Sequence, residues 1–210
     1  MTNYLVTLTA AAALFAGACS AAETPAAPAK PAPTQSATSS AVVAAPRYMQ
    51  AAAGSSLVFT FDQAGAASKG SFGRFTTELA YDEKNPAAGT LKVVVQVASV
   101  DTEDKDRNET LLGTDLFDAQ KFPTAQYVAG SFAKRADGTL EAVGKLTLRG
   151  VSHDLRLPLK IVPNATGLEL SGAAAIKRLD YGVGQGEWKA TDSVGDEVKL
   201  QYKVSLVKAK

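Results

Sequence analysis

Histidine, cysteine and tryptophan occur once each in this 210-residue chain, and that scarcity removes several kinds of chemistry at the outset. A lone Cys cannot close an internal disulfide, and a single His rules out a multi-histidine metal site. Any Ser-His-Asp or Cys-His relay would have to pass through His153 alone, so the composition is not that of a hydrolase. An excess of charge of either sign is missing too. The 22 basic and 21 acidic side chains leave a net charge of +1, which excludes the electrostatic footprint of a nucleic-acid binder.

What is present falls into three unlike segments. Residues 1–19 carry no charged side chain, and Tyr4 to Ala18 is an apolar stretch of fifteen residues. That is shorter than the roughly 20 needed to span a bilayer, and it fits the apolar core of a signal peptide over residues 1–18. The run Leu14-Phe15-Ala16-Gly17-Ala18-Cys19 resembles a bacterial lipobox. It departs from it in having Ala16 where Leu is usual and no Lys or Arg ahead of the apolar core. The resemblance implies cleavage before Cys19, acylation of Cys19 and a membrane anchor, and Ser20 after it favours the outer membrane. Residues 20–47 hold five of the nine prolines among Ala, Ser and Thr, with only Glu23, Lys30 and Arg47 charged. Such a stretch cannot bury enough surface to fold, so residues 19–53 are expected to be a flexible tether.

From residue 54 to 210 the pattern is period two, the mark of half-buried strands. Leu57, Phe59 and Phe61 share one face, as do Phe75, Thr77, Leu79 and Tyr81, and Leu91, Val93, Val95 and Val97. Near the end Val198, Leu200, Tyr202, Val204 and Leu206 repeat it. Eight strands are expected, at 56–62, 70–82, 89–100, 123–134, 139–149, 152–162, 166–178 and 195–208, with one short helix near Arg107–Phe117 between the third and fourth. Asp137-Gly138 is the best hairpin signal. Eight long strands joined mostly by short turns favour an all-β antiparallel barrel, which either fills its interior or holds one small ligand. A membrane barrel would be apolar outward, and a lipobox and tether make little sense on such a chain.

Specific motifs point further. They are LLGTDLFDAQKFPTAQYVAGSF from Leu111, GKLTLRGVSHDLRLPL from Gly144, LDYGVGQGEWKATDSVGDEVKLQYKVSL from Leu179, GSFGRF at 70–75 and SVDTEDKDR at 99–107. In this order they resemble the YceI-like family of bacterial exported proteins, over about residues 54–208. The resemblance implies a lipocalin-like barrel around a long apolar ligand such as a polyisoprenoid or isoprenoid quinone, in the periplasm-facing envelope. No cofactor and no metal are expected, and a homodimer is left open. One departure stands at the first strand. Many members have a His in a pattern like H-S-x-I-x-F, where this chain has Gly54-Ser55-Ser56-Leu57-Val58-Phe59.

Aromatic residues in a small barrel ordinarily just fill it. With the resemblance, the expected cavity lining is Phe59, Phe61, Phe72, Phe75, Leu79, Val95, Val97, Phe117, Phe122, Tyr127, Phe132, Leu146 and Trp188, with no catalytic residue among them. The acidic run 101–107 lacks the spacing of a calcium loop and is expected to lead into the helix, with Asp106 or Asn108 as its cap. Gly182-Val183-Gly184-Gln185-Gly186 has no flanking βαβ unit, so its glycines are expected to make tight turns near the barrel mouth. His153 is expected at a turn, without a catalytic role. The competing functions are a solid-core barrel that recruits an envelope protein, and an enzyme acting on a lipid.

Overall fold

The computed structural model describes residues 45–209. The expected signal peptide, Cys19 and most of the tether lie outside the described residues. Eleven strands follow in chain order: β1 (Arg47–Gln50), β2 (Ser56–Gln63), β3 (Ala66–Phe72), β4 (Phe75–Ala80), β5 (Thr90–Gln96), β6 (Val100–Asp101), β7 (Thr124–Lys134), β8 (Leu140–Leu148), β9 (Val151–Asn164), β10 (Gly167–Lys177) and β11 (Val194–Lys208). One α-helix, α1 (Lys105–Leu112), lies between β6 and β7.

Hydrogen bonding joins β1-β4-β5-β7-β8-β9-β10-β11 and closes back from β11 to β1, with every pairing antiparallel. The remaining segments extend three of these strands. β2 continues β1 and pairs with β11, β3 leads into β4, and β6 continues β5 and pairs with β3. Counting each broken strand once gives an eight-stranded up-and-down barrel, the architecture expected from the sequence. The interruptions fall at 51–55, at Gly73-Arg74 and at the short 3-10 segment Val97–Ser99.

Two strand boundaries move as a result. The expected strands 70–82 and 89–100 are each broken, because Gly73 and Arg74 bond to Ser99 rather than continuing a ladder: the Gly73 N–H reaches Ser99 O and the Arg74 N–H reaches Ser99 Oγ, both at 3.0 Å. The sheet also begins at Arg47, inside the stretch assigned by composition to the tether. Tyr48 pairs with Leu79 on one side and Lys208 on the other, and packs on the core.

The helix starts two residues earlier than expected and ends sooner. Its cap is Asp104, not Asp106 or Asn108, and the Asp104 carboxylate accepts from the Arg107 N–H at 3.0 Å. Asn108 instead accepts from the Thr102 N–H and hydroxyl, tying the helix to the buried Thr102 just after β6. The Asp137-Gly138 hairpin joins β7 to β8, with Gly138 at φ +82° and Asp137 accepting from Thr139. Along β11 inward Val198, Leu200, Tyr202, Val204 and Leu206 alternate with exposed Glu197, Lys199, Gln201 and Lys203. A polar exterior and apolar interior are the reverse of a membrane barrel. Among the described residues no helix is long and apolar enough to cross a membrane.

One end of the barrel is packed solid. Leu79, Leu91, Ala129, Phe132, Ala142, Leu159, Leu168 and Leu206 form this floor. The opposite end is roofed by two connections, residues 102–123 with α1, and residues 178–193.

Candidate functional site

The period-two pattern sends one face of every strand inward, and between floor and roof these faces do not meet. They enclose a cavity of about 440 Å³. Its wall is mainly aliphatic and aromatic, with Gln63, Gln126 and Arg178 among the polar residues that also touch it, and the volume lies in the range of small-molecule sites. Inward-facing Phe75, Val93, Leu146, Leu155 and Leu200 are only half-buried, which they would not be in a barrel filled by its own side chains. Charge appears at the mouth, where Asp104, Asp106 and Arg107 of the α1 segment stand at the rim.

Of the residues expected to line such a cavity, Phe59, Phe61, Phe72, Phe75, Val95, Val97, Phe117, Tyr127, Leu146 and Trp188 are on its wall. Phe59 stacks near Phe61 and Phe72, and Phe72 reaches Phe117, so an aromatic train runs from β2 to the roof. Gly70 makes room for it, since a Cβ there would lie 2.3 Å from the Phe59 ring.

Three expected residues lie elsewhere. Leu79 is 2% exposed and belongs to the packed floor, one inward position below Thr77. Phe132 is also in the floor, edge-on to Tyr81 and covering Gly89. Phe122 lies against Gly150 with Lys121 Nζ 5.2 Å from its ring centre, and does not reach the cavity. Strand parity gives the face of a residue but not its height, which is why floor and wall could not be separated.

The roof is held by two arginines that sequence reasoning passed over. Arg178 is 4% exposed, and its guanidinium donates to five carbonyls: Gly195 through Nε at 3.0 Å, Val183 and Trp188 through Nη1, and Ala190 and Val194 through Nη2. Burial pulls its pKa below the usual arginine range, with Asp196 opposing the shift. Gly184 is required here, since a Cβ would come within 1.9 Å of the guanidinium at φ +119°. Arg149 joins the two roof segments, donating to Gly182 O at 2.7 Å and Thr114 O at 2.6 Å. The Gly184 and Gln185 N–H groups add bonds to Asp115 O. The glycine run therefore makes the tight turns at the mouth that its spacing implied.

Two tyrosine hydroxyls face the interior and are satisfied by backbone. Tyr127 donates to Ala142 O at 2.9 Å, and Tyr202 donates to Pro158 O. Burial pushes both well above the ordinary tyrosine range. His153 sits within β9 rather than at a turn. One ring nitrogen is 3.0 Å from Asp180 O, and the ring stands edge-on to Tyr181. Among the described residues no three His, Cys, Asp or Glu side chains come together. The Asp101 and Asp104 carboxylates accept from Glu103, Asn108 and Arg107 instead. Gly54 takes φ +84°, and a Cβ there would lie 2.8 Å from Ser205 Oγ, so a His at this position would be both strained and crowded.

The family model for the YceI-like domain matches residues 48–206. A UPF0312 protein of Yersinia enterocolitica is 32% identical over 152 residues, covering 67% of this chain and 74% of that protein. A UPF0312 protein of Vibrio vulnificus is 34% identical over 94 residues, 45% of this chain, and the chain spans 50% of that relative's length. Among solved structures, Burkholderia cenocepacia BcnA is similar with a TM-score of 0.69 at 31% identity, over 71% of this chain and 94% of BcnA. A polyisoprenoid binding domain from Saccharophagus degradans, implicated in plant cell wall breakdown, shares the fold with a TM-score of 0.63 at 17% identity, over 77% of this chain and 98% of that one.

Proposed function

Because the chain belongs to the YceI-like family, we propose that it is an envelope lipoprotein whose barrel binds and carries a long-chain apolar molecule, a polyisoprenoid or an isoprenoid quinone, without chemical change. The observation that carries this is the cavity itself: an apolar interior whose middle rows of side chains leave room for a ligand. Its lining residues would contribute desolvation and dispersion rather than bond making. Cys19, once acylated, would anchor the protein to the periplasmic face of the outer membrane, with the residues after it as tether.

Purification from the native membrane followed by organic extraction and mass spectrometry tests the cargo. The expected result is one isoprenoid or quinone per barrel. An interior empty under gentle conditions would overturn the carrier in favour of a module that recruits envelope proteins.

A further inference from the structure

Two boundaries fix how much of a chain the barrel can enclose. Below, Leu79, Leu159, Leu168 and Leu206 close the floor, none of them more than 8% exposed. Above, the mainly apolar wall gives way to Asp104, Asp106 and Arg107, and carbon lying among hydrated charges is not removed from water. Between these limits lie the 440 Å³ of the cavity.

Volume and depth set the same limit. A water molecule takes about 30 Å³ in the liquid, and groups pack more closely in a protein interior, so the cavity holds about 15 to 20 carbon atoms, or three to four isoprene units. Along β11 the wall runs from Val194 at the mouth to Val204, the inward neighbour of Leu206 in the floor. At the rise and tilt of barrel strands this is about 25 Å of depth, enough for one extended chain of that size. A chain twice as long would have to double back, for which there is no volume, or emerge through the mouth.

We infer that the barrel selects its ligand by enclosed length: three to four isoprene units are held, and carbon beyond them adds nothing to affinity. This rests on the apolar-ligand reading above. It narrows the substrate class to a terpenoid segment of about fifteen to twenty carbons, either a whole molecule or one end of a longer one.

The test is to titrate geraniol, farnesol, geranylgeraniol and hexaprenol, prenyl alcohols of increasing length, into delipidated full-length protein. Fluorescence of Trp188, the chain's single tryptophan and part of the cavity wall, reports occupancy. The Kd should fall at least about tenfold from geraniol to farnesol, because the whole added unit is buried. From geranylgeraniol to hexaprenol it should fall less than about threefold, because the added units lie outside. Val93 is half-buried on the wall, one inward position above Leu91 of the floor. Val93→Phe takes up lumen there, and should weaken geranylgeraniol by about fivefold or more while leaving farnesol within about twofold. A larger gain from geranylgeraniol to hexaprenol would overturn the inference while leaving the cavity as a lipid site. Equal losses of farnesol and geranylgeraniol in a folded Val93→Phe protein would do the same. The series on the unaltered protein decides the matter even where Val93→Phe fails to fold. Failure of all four alcohols to bind would overturn the apolar-ligand reading itself.

Discussion

At the residue scale the cavity depends on a few close fits. Gly70 faces the Phe59 ring so closely that Gly70→Ala must push the ring into the cavity or out of the aromatic train. Overpacking of this kind costs about 1–3 kcal/mol, so denaturant unfolding of this variant should show a lower midpoint with an unchanged slope. Phe75 is the better place to reduce capacity. It is half-buried on the wall, and Phe75→Trp should leave the Tm almost unmoved while weakening a bound isoprenoid by about tenfold, measured by displacement. The buried tyrosines give a pH signature. Burial holds Tyr127 and Tyr202 protonated in the folded barrel where the unfolded chain would ionise at about pH 10. Their contribution is fully present below that pH and is lost as pH rises through the raised folded-state values. Stability should be level from about pH 7 to 9 and fall above about pH 10, and Tyr202→Phe should make that falling limb shallower.

At the element scale the roof carries most of what the sequence did not reveal. Alternation made the strands legible, because a half-buried strand has to repeat every second residue, and the inward face of β11 was readable residue by residue. Residues 178–193 have no such period. Their conformation is fixed by a buried guanidinium binding five carbonyls, and nothing in the neighbourhood of Arg178 marks it off from a solvated arginine. The strand breaks were hidden for a related reason. Phe72 and Phe75 keep their apolar character across Gly73-Arg74, and only the pairing of that bend with Ser99, 25 residues away, ends the ladder. Arg178→Met would leave several carbonyls of the roof without donors. Faster ligand release and faster amide exchange in residues 179–194, with floor strands still protected, are the expected outcome. Unchanged release would mean that ligand does not pass under this connection. At α1, Asp104→Ala should cost about 1 kcal/mol through loss of the cap.

At the scale of the whole molecule, the proposed function assigns address, reach and binding to separate segments of the chain, and on that proposal these should separate experimentally. Cys19→Ser in the full chain should release the protein from membranes into the soluble fraction and leave the Tm and ligand stoichiometry of the barrel as they were. Retention on membranes would point to an anchor other than acylation. Alternation made the inward faces legible and only the family resemblance implied a cavity between them, whose depth neither disclosed. Leu79 and Phe132 are indistinguishable from Phe75 by pattern, and only closure of the ring shows that they stand below the open space.

The three broken strands lie side by side, and their interruptions line up across the wall at 51–55, 73–74 and 97–99. Side chains stitch this line where ladder bonds stop: Ser55 Oγ accepts from the Ser205 N–H, Ser205 Oγ donates to Gly54 O, and Ser99 Oγ donates to Gln96 O. Below it, β1, β4 and β5 belong to the continuous ring around the floor. Above it, β2, β3 and β6 form a panel that reaches the rest of the sheet chiefly through β11. Such a crease gathers the weakest hydrogen bonding of the wall into one line, so amide exchange along it should outpace exchange in the ring beneath.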